Sequence, residues 1–158
     1  MDRQTLVDGL NVLLELEMRG LPWRLSECQS YVDWREARVA ATFQRIVSDG
    51  RDHERWLTEE IVALDGMPRP ISPDMRSAGL HYVEARYLLR LLIEEKHRLV
   101  DAYQQAAGQF PTTSTAAGTV ARILARHQVH LEGLEALAQQ LAAAESGTAA
   151  PVSQGDDT

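Results

Sequence analysis

An all-α fold is predicted for this chain of 158 residues, and three features carry that prediction. Helix formers (Ala, Leu, Glu, Arg, Gln) dominate, aromatic residues make up only 6%, and alternating β-branched runs are absent. Four stretches repeat apolar residues at the helical period, each with one face to bury, and a four-helix bundle is the natural way to bury all four. Finally, a 44% hydrophobic content suits one domain with a single sizeable core.

The first stretch runs from about Gln4 towards Ser30, with Leu6, Leu10, Leu13, Glu17 and Leu21 at helical spacing. Pro22 falls inside it and is expected to kink or end the helix, because proline removes a donor and crowds the preceding turn. The second opens at Asp33, where Asp33-Trp34-Arg35-Glu36 has capping-box spacing with Asp in place of Ser or Thr. Its inward stripe is Phe43, Ile46, Gly50, His53, Leu57, Ile61 and Leu64, and it stops at Asp65-Gly66 ahead of Pro68 and Pro70. Ser72-Pro73 opens the third, placing Pro at a first helical position where its missing N–H costs nothing, and this helix continues to Gly108. The fourth starts at Thr112-Thr113-Ser114 with Val120, Ile123, Leu124, His127, His130, Leu131, Leu134, Leu137 and Leu141 along one stripe. The bundle is expected over residues 1–144. Residues 145–158 are small and polar, cannot bury enough apolar surface to fold, and read as a disordered tail.

The net charge of −7 argues against a nucleic-acid partner, which needs a positive field against phosphate. No apolar run approaches the roughly 20 residues that cross a bilayer, so no membrane partner is expected. The start, MDRQTLVDGL, lacks a basic leader followed by an apolar core, and the single cysteine, Cys28, excludes an internal disulfide. A soluble, cytoplasmic protein is the expectation. Cys28 reads as a small core residue, Glu84 and Lys96 as surface charges, and Trp23, Trp34 and Trp56 as helix-end or interface residues.

Polar residues interrupt the apolar stripes. Rotation of 100° per residue lines Glu17 up with Leu10, Leu13 and Leu21, while His53, His127 and His130 fall on the inward faces of the second and fourth helices. On the third, Glu94 continues the line of Leu80, Tyr87 and Leu91, and Glu95 that of Leu88 and Leu92; either can point inward. A hairpin brings Glu17 level with His53, and a second brings Glu94 level with His127 and His130. The two pairs share one layer only if the second and third helices run parallel, which requires a crossover; an up-down-up-down bundle would put Glu84 there instead. Carboxylates and imidazoles converging in an apolar bundle suit iron, manganese or zinc, and each buried charge left unpaired would cost several kcal/mol.

These residues resemble the ferritin-like superfamily, bacterioferritin in particular. Leu10-Asn11-Val12-Leu13-Leu14-Glu15-Leu16-Glu17 is similar to that family's first-helix motif, whose final Glu is a metal ligand, which implies Glu17. His53-Glu54-Arg55-Trp56-Leu57 through Ala63-Leu64-Asp65-Gly66-Met67-Pro68 resembles the second helix and its exit, with His53 in place of the ligating His. His127-Gln128-Val129-His130-Leu131 resembles the second Glu-x-x-His motif, with His130 as ligand, and the third-helix ligand falls at Glu94 or Glu95. The resemblance spans roughly the first 140 residues and implies a ferritin-like four-helix bundle with a crossover between helices two and three. It also implies a homodimer or higher homo-oligomer.

Departures from the pattern matter equally. The family's bridging glutamates fall on Gly50, which offers no ligand, and on His127, and its haem-ligating Met falls on Arg51, so no haem is implied. The remaining set is Glu17, His53, Glu94 or Glu95, His127 and His130, with Asp49 close to the gap. It is richer in nitrogen than the family pattern and fits one ion of zinc, copper or iron better than two. An atypical metal-binding protein of metal handling or oxidative-stress chemistry is one expectation, with activation of dioxygen or peroxide if it is catalytic. The other is a bundle that lost its metal, in which Glu17 pairs with a protonated histidine and fixes helix register, and which serves as an oligomerising or interaction module.

Overall fold

The computed structural model describes residues 2–27, 37–69, 71 and 85–148. They form five helices: α1 (Arg3–Arg19), α2 (Leu21–Glu27), α3 (Ala37–Ala63), α4 (Ala85–Ala107) and α5 (Thr115–Thr148). No strand occurs among the described residues.

Local chemistry sets the helix ends. Asp2 caps α1 by accepting from the Thr5 N–H at 2.7 Å. That helix ends at Arg19 with Gly20 as its cap, just before Pro22, so of the expected kink or end the chain takes the end. Pro22 then lies in the first turn of α2, where a missing N–H leaves no bond unmade. At the end of α3 the Gly66 N–H reaches the Ile61 carbonyl at 2.9 Å, while Asp65 takes the left-handed conformation at φ 51°. Gly66 itself is required by close approach, since a Cβ there would lie 2.7 Å from Val7. Ser114 caps α5 through the Ala117 N–H at 3.1 Å. That helix continues past Glu145 to Thr148, and residues 149–158 lie outside the described residues. So do Cys28, the Asp33–Glu36 capping box with Trp34, Ser72-Pro73 and Glu84.

Cross-helix contacts give the topology. Glu17 meets His53, and Gly66 comes back to Val7, so α1 and α3 are antiparallel. Leu21 meets Glu95 while Glu17 meets Tyr103, so α1 and α4 are antiparallel too. Helices α3 and α4 are therefore parallel, and the chain between them crosses from one end of the bundle to the other. Helix α5 returns antiparallel to both: Arg86 meets Glu145 and Lys96 meets His127 on one side, while Asp49 meets His130 and Glu60 meets Thr119 on the other. The expected crossover is present.

The core divides in two. Leu21, Val39, Phe43, Ile46, Leu88, Leu89, Leu92, Leu134 and Leu137 fill one half. Val7, Leu10, Leu13, Leu14, Leu57, Ile61, Leu99, Tyr103, Phe110, Val120 and Ile123 fill the other. Between them lies a layer holding Glu17, His53, Lys96, His127 and His130, all buried.

Candidate metal centre

Glu17 comes from the last turn of α1, His53 from the middle of α3, and His127 from α5. Each offers a ligand atom, and the three lie within 4.8 Å of one another with all three residues buried. Glu17 is the hub. Its Oε1 accepts from Tyr103 Oη at 2.8 Å and from His127 Nε2 at 2.7 Å, and its Oε2 lies 3.4 Å from His53 Nδ1.

Lys96 decides the tautomer of His127. The Lys96 Nζ stands 3.0 Å from His127 Nδ1, and an ammonium can only donate. Nδ1 therefore accepts, the ring proton sits on Nε2, and Nε2–H donates to Glu17. A continuous relay thus runs from a buried cation through an imidazole to a buried carboxylate. Burial pushes His127 down to about 4, against the pull of Glu17, so it is neutral at pH 7. Burial would raise Glu17, but its hydrogen bonds from His127 and His53 hold it well below the usual carboxylate range. The Lys96 ammonium is lowered by burial, with the Glu17, Glu95 and Asp49 carboxylates opposing. Tyr103 is raised well above the usual phenol range by burial and by Glu17, so it stays a donor.

His130 belongs to a second, adjoining group. Its Nε2 donates to Asp49 Oδ2 at 2.6 Å, and Asp49 Oδ1 accepts from Arg126 at 2.9 Å. Its ring centroid lies 6.3 Å from that of His53 and 6.2 Å from that of His127. Burial and the Lys96 cation push it down to about 4, against Asp49. Two ring nitrogens, His53 Nε2 and His130 Nδ1, are buried with no hydrogen-bond partner among the described residues. Outside this layer, Trp56 packs against His53 at 5.8 Å, and Arg122 stacks over its indole at 3.5 Å. It is half-buried.

The α4 residues depart from expectation. Glu94 is exposed. Glu95 is half-buried, but both carboxylate oxygens accept from the Leu21 N–H, at 2.7 and 2.9 Å, and so cap α2. Lys96, expected on the surface, is instead 2% exposed and fills the α4 position in the layer. The backbone explains this exchange: Leu89, Leu92, Lys96, Leu99 and Tyr103 recur at three- and four-residue steps, so Lys96 lies in the inward stripe while Glu94 points to water. The same stripe carries Tyr103, whose position in it is the sequence signal for its burial.

One carboxylate and two imidazoles match the donor set of a single divalent transition-metal ion. They do not match a pair of ions, which needs bridging carboxylates; Gly50 supplies none and Asp49 is held by His130 and Arg126. His127 Nε2 and Glu17 Oε1 are now joined by a hydrogen bond, so ligation requires loss of that proton.

This bundle is similar to two solved structures. One is a ferritin-like, diiron-carboxylate protein from Bacillus anthracis, 20% identical over 87% of this chain and 99% of that one, with a TM-score of 0.69. The second is a dodecameric thioferritin, the bacterioferritin-related protein of Bacteroides fragilis, 20% identical over 95% of this chain and 94% of that one, with a TM-score of 0.73. The chain has the ferritin-like fold. No protein-family model and no curated protein matches it. Among the described residues, no helix is long and apolar enough to cross a membrane.

Proposed function

We propose that this ferritin-like chain binds a single divalent transition-metal ion (iron, zinc or copper) through Glu17, His53 and His127, and acts in metal handling or oxidative-stress chemistry. The observation that carries the reading is the convergence of three buried donors within 4.8 Å. The diiron-carboxylate neighbour supports metal binding by this fold, and the donors here favour one ion over two. A bound ion would supply Lewis acidity or one-electron chemistry in a buried site. The protein's own residues orient it: Tyr103 donates to Glu17 Oε1, and Lys96 holds His127 from behind, on the ring nitrogen away from Glu17. His130, with Asp49, serves beside the ligands rather than among them. Glu94 and Glu95 have no part in ligation, and haem none in the site. The dodecameric neighbour supports a homo-oligomer, and a single cysteine suits a reducing cytoplasm.

A second reading has its own observation. The Lys96 ammonium already supplies a positive charge against Glu17, so the layer is electrically closed without an ion. In that case the bundle is metal-free and works through its surface. Elemental analysis of protein purified from metal-supplemented cells separates the two. The metal reading expects one ion per chain, lost in His127→Ala and Glu17→Gln and retained in His130→Ala. A metal-free wild type whose unfolding ignores chelator overturns it.

A further inference from the structure

Gly50 lies near the middle of the 27-residue α3, where glycine is among the least favourable residues. The backbone does not ask for it, since no glycine among the described residues has positive φ. Packing does not ask for it either. A Cβ on Gly50 would meet only Pro22 Cβ, at 3.9 Å, an ordinary van der Waals distance.

What the missing side chain leaves is space. A cleft of about 10 Å³ opens beside Gly50, between α1, α2 and α3, and its lining includes Met18, Pro22, Trp23, Glu54 and Glu17 itself. That volume holds about one water molecule. Glu17 is otherwise enclosed, with its side chain 6% exposed, so this opening faces the hub of the polar layer. His53 follows Gly50 by three residues on the same helix face and stands 3.4 Å from Glu17 Oε2.

We propose that the gap at Gly50 is the entrance through which a water-sized neutral molecule (water, dioxygen or a peroxide) reaches Glu17 and the adjoining His53. The apolar walls from Met18, Pro22 and Trp23 suit a small neutral molecule, and a hydrated ion is too large for the space. What the molecule meets there rests on the metal reading; the opening itself does not.

The test uses metal-free protein in deuterated water, with deuterium exchange at the C2 position of each histidine read by mass spectrometry. Exchange at His53 slows about tenfold in Gly50→Leu and by less in Gly50→Ala, while the exposed His97 is unchanged. Gly50→Ala also raises the unfolding midpoint by about 2–4 °C, because alanine is the better helix former and nothing clashes. Should Gly50→Leu fail to fold, Gly50→Ala decides alone, since its methyl fills the place of one water. An unchanged His53 rate in folded Gly50→Ala and Gly50→Leu overturns the entrance. Metal content, measured on the same proteins, reports separately on the metal reading.

Discussion

On either side of the Glu17 layer the bundle is built from leucine, isoleucine, valine and phenylalanine, and within it from a carboxylate, a lysine and three imidazoles. The same four long elements, α1, α3, α4 and α5, supply both. In the apolar halves each side chain is held by many weak contacts, and a neighbour can shift to absorb a change. In the polar layer each group depends on a few partners at 2.6 to 3.4 Å, and the removal of one leaves another buried and unsatisfied. The apolar halves hold the helices together, whereas the layer between them fixes their relative height. A slide by one turn would leave the leucines buried but would separate Lys96, His127 and Glu17.

The largest effect is expected from breaking the relay at its hub. Glu17→Leu in metal-free protein strands the Lys96 ammonium and removes the acceptor of Tyr103 and His127. It is expected to cost about 3–5 kcal/mol in urea unfolding. Adding Lys96→Met removes the stranded charge, so the double variant is expected to be more stable than the sum of the two single ones by over about 1 kcal/mol. Simple additivity would mean that the lysine and the carboxylate are not balancing each other. Leu57→Ala, in the apolar half next to His53, is expected to cost about 3 kcal/mol with no change in pH dependence.

Acid acts on the layer and spares the halves. His127 is held at about 4 in the folded protein, below its ordinary value of 6.5, so the unfolded chain takes up its proton first. Stability is therefore full above about pH 6.5 and falls as pH drops towards 4, by about 2–3 kcal/mol for His127. His130, lowered in the same direction, adds to the loss. His127→Gln is expected to flatten that limb of the stability–pH curve. A curve equally steep in the variant would assign the effect elsewhere.

The apolar halves were legible in the sequence because a stripe of leucines declares its face at every third or fourth position. Phe43, Ile46, Leu57 and Ile61 all lie where the period put them, as do Val120, Ile123 and Leu134. The crossover was expected from the family resemblance and from placing Glu94 level with the α5 histidines; the crossover is present, but Glu94 itself faces water, and Lys96 holds the α4 place in the layer. Within the layer, reading by residue type failed at α4. A glutamate is a likelier ligand than a lysine, and lysine is rarely buried, so Lys96 was assigned to water although its position in the stripe said otherwise. Only the partners explain its burial: Glu17 lies one imidazole away. That pairing joins residues far apart in the chain, and no local pattern encodes it.

Glu94 and Glu95 give the finest test of this division. Both are glutamates of one helix turn, and both were candidates for the layer. Glu94→Gln faces water and is expected to change stability by less than about 0.5 kcal/mol. Glu95→Gln keeps the size but loses the charge that holds the Leu21 N–H at the start of α2, and is expected to cost about 1 kcal/mol. Neither substitution is expected to lower metal content, because neither carboxylate joins Glu17, His53 and His127. Loss of metal in Glu95→Gln alone, with α2 intact by circular dichroism, would mean that this carboxylate leaves its cap to reach the ion. The layer would then have two arrangements, with α2 held in one and released in the other.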